Sequence, residues 1–167
     1  MNFAKSFRTG RLGSILALLV AFLVCFAAAR LGSSVTTPNL DWYAGLAKPS
    51  FNPPNLAFPI VWTLLYAMMA IALWRVVEAS GGWIAGNRTL IPFAIQLILN
   101  VAWSFVFFGG RDPAGGMVVI LLLLGAIVWT ILAFARKDRI AAALLLPYIV
   151  WVCFAAVLNA AILRLNP

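Results

Sequence analysis

The chain has 167 residues, of which 65% are hydrophobic and 10% charged, with a net charge of +8 and a mean hydropathy of +1.04. A water-soluble domain of this size needs far more polar cover, so the composition excludes one and points to an integral membrane protein. The basic residues are scattered among the ends of apolar runs, which argues against nucleic acid as a partner and fits topology signals and the headgroups of a lipid bilayer.

A bilayer core needs about 20 apolar residues per helix, and the chain has room for five such spans. Lys5, Arg8 and Arg11 precede an apolar run over about 13–30. A basic start followed by an apolar core and Ala27-Ala28-Ala29 is also the pattern of a signal peptide. The run is long enough to span and four more follow, which favours a retained first helix. Residues 31–56 then carry Gly32-Ser33-Ser34, Thr36-Thr37-Pro38-Asn39, Lys48-Pro49 and Asn52-Pro53-Pro54, which predicts a long ordered loop.

The second span is expected over about 57–77, with Pro59 near its start, where a missing N–H costs little. The third covers about 90–108 and the fourth about 116–135, closed by Arg136-Lys137-Asp138-Arg139. The fifth covers about 140–163, with a kink expected at Pro147. The last three connections are short, so the reading is a single all-α membrane domain, a five-helix bundle with antiparallel neighbours. Lys5, Arg8, Arg11, Arg75, Arg88, Arg136, Lys137 and Arg139 fall on one side, and Arg30, Lys48, Arg111 and Arg164 on the other. That asymmetry predicts a cytoplasmic N-terminus, with a bacterial cell membrane as the expected location.

The residue inventory narrows the chemistry. There is no histidine, and Cys25 and Cys153 both sit inside apolar runs as small buried hydrophobes, so no metal site is expected. Asp41, Glu78, Asp112 and Asp138 all fall in loops or at helix ends, which argues against a coupled ion pump with a mid-membrane carboxylate. No carboxylate pair, nucleophile–base set or phosphate-binding glycine loop suggests covalent or acid–base catalysis.

The spans do carry aromatic and amide side chains at helical spacing. Phe58, Trp62, Tyr66 and Met69 share one face of the second span; Gln96, Asn100, Trp103 and Phe107 share one of the third. Tyr148, Trp151, Ala155 and Asn159 share one of the fifth. Isolated Trp and Tyr are common at membrane interfaces, the plain reading of Trp74 and Trp83, and an isolated amide is commonly interhelical glue. Aromatic rings and amides together on three faces suit a pocket for a flat, mostly apolar ligand.

These stretches, in order, resemble the tryptophan-rich sensory protein (TspO) and mitochondrial translocator family. The matching residues are Trp42-Tyr43 with Lys48-Pro49 and Pro53-Pro54, then Phe58-Pro59, Trp62 and Leu65-Tyr66. They continue with Gln96-Leu97, Asn100, Trp103 and Phe107-Phe108-Gly109, and end with Pro147-Tyr148, Trp151 and Leu158-Asn159. The resemblance implies a five-helix bundle, often a homodimer, that binds porphyrins such as protoporphyrin IX and requires no cofactor. It implies a pocket of Trp62, Tyr66, Asn100, Trp103, Trp151, Ala155 and Asn159, with Trp42, Phe51, Pro53 and Pro54 in a lid. Asn100 and Tyr66 would meet polar edges of the ligand, and Lys48 its propionates.

Phe51 stands where the family commonly has Trp, which keeps an aromatic lid with less polar reach. The steroid-recognition pattern needs an aromatic shortly after Asn159, and Ala160-Ala161-Ile162-Leu163-Arg164 supplies none, which weighs against cholesterol. The resulting expectation is a membrane tetrapyrrole-binding protein in transport, sequestration or stress signalling. The alternatives are light- and oxygen-dependent breakdown of bound porphyrin, with Trp62, Trp103 or Trp151 accepting radicals, and a scaffold acting through protein partners.

Overall fold

The computed structural model describes residues 10–84 and 87–166; Lys5 and Arg8 of the charge count lie outside them. Among the described residues, five helical segments are long and apolar enough to cross a membrane. In lipid a backbone must satisfy its own hydrogen bonds, so uninterrupted apolar runs become helices whatever their individual propensities.

α1 covers Arg11–Thr36. Its 26 residues span about 39 Å, more than the ~30 Å of a bilayer core. Its buried residues are Ala17, Ala21, Cys25, Ala28 and Gly32, a seam of small side chains that packs chiefly against α3 (Ala57–Ala79). Leu12, Leu19 and Leu23 stay exposed on the face where lipid would lie.

The loop expected over 31–56 therefore starts too early. Helix continues through Gly32-Ser33-Ser34 to Thr36, then through a 3₁₀ turn at Thr37–Asn39 and a short α2, Leu40–Gly45. The polar residues are accommodated within the helix they were expected to end, their hydroxyls turned back onto its carbonyls. Ser33, Ser34 and Thr36 hydroxyls donate to the carbonyls of Arg30, Leu31 and Gly32. Gly32 is a packing residue: a Cβ there would lie 3.1 Å from Ser104 Oγ, so α1 passes close to α4 (Asn87–Ser104) at this point. Pro38 sits in the first turn of the 3₁₀ segment, where its missing N–H leaves no bond unmade. Only residues 46–56, with Pro49, Pro53 and Pro54, form the loop proper.

α3 ends at a turn in which Gly81 and Gly82 take φ of 82° and 119°, values that suit glycine. α4 covers Asn87–Ser104 and runs on into a π-helical turn, Phe105–Gly109, closed by the Gly110 N–H on the Phe105 carbonyl at 2.8 Å. α5 covers Pro113–Ala135, and the Asp112 carboxylate caps it by accepting from the amides of Ala114 and Gly115.

The fifth span is two helices, α6 (Arg139–Ala143) and α7 (Leu146–Leu165), where one kinked helix was expected. Pro147 has no N–H to give the Ala143 carbonyl and its ring crowds that position, so the helix stops and restarts with Pro147 in its first turn. α4 packs against α5 and α1, and α5 against α7. The Arg75 guanidinium meets the Asp138 carboxylate at 2.8 Å, joining α3 to the cap of α6. Of the two cysteines, Cys25 is buried as expected, but Cys153 is exposed on the outside of the bundle.

Candidate ligand-binding site

Trp62 and Tyr66 lie one turn apart on α3, their ring centroids 5.7 Å apart, and the Trp62 ring meets Tyr148 of α7 edge-on at 6.3 Å. Behind these rings runs a buried chain of hydrogen bonds. Tyr66 Oη donates to Asn100 Oδ1, Asn100 Nδ2 donates to Tyr148 Oη at 2.9 Å, and Tyr148 Oη donates to Gln96 Oε1 at 2.9 Å. Gln96 Nε2 completes it with a weak contact to Met69 Sδ at 3.9 Å. Gln96, Asn100 and Tyr148 are all at least 95% buried, where an unpaired amide or hydroxyl would be costly. The three faces read from the sequence therefore do converge, and much of their polarity is spent on one another. Tyr148 and Gln96, absent from the expected pocket, are its internal frame. Their place on helix faces was legible, but which group would meet which across helices was not.

A cavity of about 10 Å³ lies beside this chain, lined by Trp62, Asn100, Trp103, Ile120, Leu123, Val152 and Ala155. Four of the seven expected pocket residues are thus brought to it: Trp62, Asn100, Trp103 and Ala155. Tyr66 touches it only through Asn100 and Trp62. Ile120 and Leu123 come from α5, whose apolar sequence all round offered no signal of which side faces a pocket. Trp103 stacks on Phe107, with centroids 4.9 Å apart and planes 18° apart, and its buried indole Nε1 has no hydrogen-bond partner among the described residues. An unmet donor on a cavity wall is what a ligand's acceptor would satisfy.

Trp151 and Asn159 stand outside that lining. Trp151 packs edge-on against Phe58 at 6.0 Å and, tilted by 39°, against Phe154 at 5.5 Å. Asn159 is buried and ties α7 to α5 by donating to the Pro113 carbonyl at 3.1 Å, while its Oδ1 has no partner among the described residues.

Over this end of the bundle lie α2 and residues 46–56. Trp42 sits edge-on to Phe107 and Phe108, and Phe51 edge-on to Phe154 at 6.3 Å. The Tyr43 hydroxyl donates to Asn52 Oδ1 at 2.8 Å, and Asn52 Nδ2 donates to the Pro53 carbonyl; Pro54 is exposed. Lys48 Nζ donates to the carbonyls of Ala44 and Leu46 and lies 4.9 Å from the Tyr43 ring centroid. The ammonium expected to greet propionates is engaged in holding α2 and the loop together. Among the described residues, no group of three or more His, Cys, Asp or Glu side chains is arranged to hold a metal ion.

The profile of the TspO/MBR family matches residues 18–165. The chain is 47% identical to the tryptophan-rich protein TspO of Chlorobaculum tepidum, over 92% of this chain and 98% of that one. It is 35% identical to the tryptophan-rich sensory protein of Cereibacter sphaeroides, over 90% and 92%. Against the human translocator protein the identity is 36%, over 89% of this chain and 86% of the relative. With matches that run nearly end to end and a five-span bundle beneath them, the chain belongs to the TspO/MBR family.

Proposed function

We propose that this protein binds a flat, mostly apolar tetrapyrrole, with protoporphyrin IX as the representative ligand, between α3, α4, α5 and α7. The observation that carries the reading is the wall of that cavity: two indoles, Trp62 and Trp103, an amide at Asn100, and an unpartnered Trp103 N–H. Indole faces stack on a π-system, and a few buried polar groups set its orientation. The ligand class comes from the family resemblance; the relatives' names speak of sensing and translocation and name no ligand.

A cavity of about 10 Å³ holds no more than about one water, so a macrocycle needs the walls to part. The route that disturbs the frame least is rotation of Trp62 and Trp103 together with displacement of residues 46–56. Binding of this kind serves transport, sequestration or stress signalling. The charge asymmetry along the sequence supports a cytoplasmic N-terminal end in a bacterial cell membrane as part of this reading. The test is a titration of purified protein with protoporphyrin IX in the dark, following the Soret band. Saturable binding that weakens about fivefold or more in Trp103→Phe supports the reading; a non-saturable rise equal to that in empty detergent refutes it.

A further inference from the structure

The geometry points to Asn166 as a latch that sets how fast residues 46–56 open over the cavity. Asn166 caps α7, with its own N–H on the Ile162 carbonyl at 3.1 Å. Its side chain then pairs with both backbone groups of one loop residue. Asn166 Oδ1 accepts the Ala47 N–H at 2.9 Å, and Nδ2 donates to the Ala47 carbonyl at 3.0 Å and to Ile162 at 2.8 Å. The amide thus bridges the last turn of α7 to the loop using every kind of bond it can make. Among the described residues, these are the hydrogen bonds that hold residues 46–56 to a helix end other than their flanking α2 and α3.

Two features make this a release point and not simply a strut. Pro49, Pro53 and Pro54 fix φ along the loop, so it moves as a stiff piece once its ties are broken. The Ala47–Asn166 pair is also solvent-exposed, so water can replace each bond, and two such bonds bias an opening equilibrium by on the order of tenfold. Two further contacts, Phe51 on Phe154 and Leu46 on the cluster that includes Leu158 and Ile162, are non-directional and break without leaving a polar group unpaired, while Tyr43–Asn52 ties the loop only to its own flanking α2. A loop that must open for a ligand both to arrive and to leave sets both rates.

The ligand-rate part of this inference rests on the pocket reading above, and the test separates the two. In ligand-free protein, hydrogen exchange of the Ala47 amide should be about tenfold faster in Asn166→Ala, with the cores of α3 and α7 unchanged. Unchanged exchange at Ala47 overturns the latch, and so does acceleration throughout α7, which would mean a general loss of packing. Stopped-flow mixing with protoporphyrin IX in the dark should then show association and dissociation both raised about tenfold, with Kd within threefold of the wild type. A rise in dissociation alone would make Asn166 a ligand contact and overturn the latch. If the wild type shows no saturable binding, the pocket reading fails and the exchange measurement still decides the latch.

Discussion

The Tyr148 hydroxyl accepts the Asn100 amide at 2.9 Å, and through that contact α7 is tied to α4 inside the bundle. The same hydroxyl donates to Gln96, and Asn100 accepts from Tyr66, so one tyrosine holds together polar groups from three helices. The fold solves the problem of buried amides in lipid by pairing them with tyrosines, and the candidate cavity is the small space left beside that solution.

Tyr148→Phe keeps the ring against Trp62 and removes only the oxygen. It leaves a buried Asn100 N–H and the Gln96 carbonyl unpaired, a cost of about 1–3 kcal/mol. Thermal unfolding in detergent should show a clear drop in Tm, whereas Cys153→Ser, on the outside of the bundle, should barely move it. An unchanged Tm in Tyr148→Phe would mean that the chain of hydrogen bonds is not a structural frame.

Gly116 lets α5 come close to the π-helical turn. A Cβ there would lie 3.0 Å from Phe107 Cδ2 and 3.2 Å from Phe107 Cβ. Gly116→Ala must therefore push Phe107, and with it the stacked Trp103. Overpacking of this kind costs about 1–3 kcal/mol. The expected outcome is a lower Tm together with weaker ligand binding, whereas Gly45→Ala, where nothing lies within 4 Å of the added carbon, should leave binding unchanged.

Asp138 carries the pH prediction. Burial alone would raise its carboxyl pKa, but the Ala141 amide, the Arg75 guanidinium and the Ile140 amide outweigh that and hold it below the usual carboxylate range. A lowered folded-state pKa means that its stabilisation is fully present above the ordinary carboxylate value and is lost as pH falls through the folded value. Asp138→Asn should therefore lower stability at neutral pH by about 1 kcal/mol or less, as for an ion pair near the surface. Melting curves of the two proteins should converge as the pH is taken below the carboxylate range. A difference that stays constant with pH would contradict the role given to the charge.

The number of spans is legible in the sequence because lipid leaves a backbone little choice beyond helix. The same physics explains the largest error. Gly32, Ser33, Ser34 and Thr36 read as a turn by their habits in water, where their side chains compete for the backbone. At the end of a long apolar helix their hydroxyls bond back to it instead. Pro147 was correctly marked as a disturbance, but whether a proline bends a helix or divides it depends on what the neighbouring turn can pack against. In the site, the faces of α3, α4 and α7 follow from spacing alone, and the cavity wall shows how far that goes: Trp62, Asn100, Trp103 and Ala155 lie on the expected stripes, while Val152 lies one position beyond Trp151.

The most direct test of the central claim is to fill the cavity from one side of α7 and compare it with the other side. Ala155 lines the cavity, whereas Val150 on the same helix is 67% exposed on its outer face. Ala155→Phe and Val150→Phe would be titrated with protoporphyrin IX in the dark, after confirming that each melts cooperatively. The account predicts that Ala155→Phe loses saturable binding while Val150→Phe binds as the wild type does. Equal binding by all three proteins would contradict it and move the ligand away from this cavity.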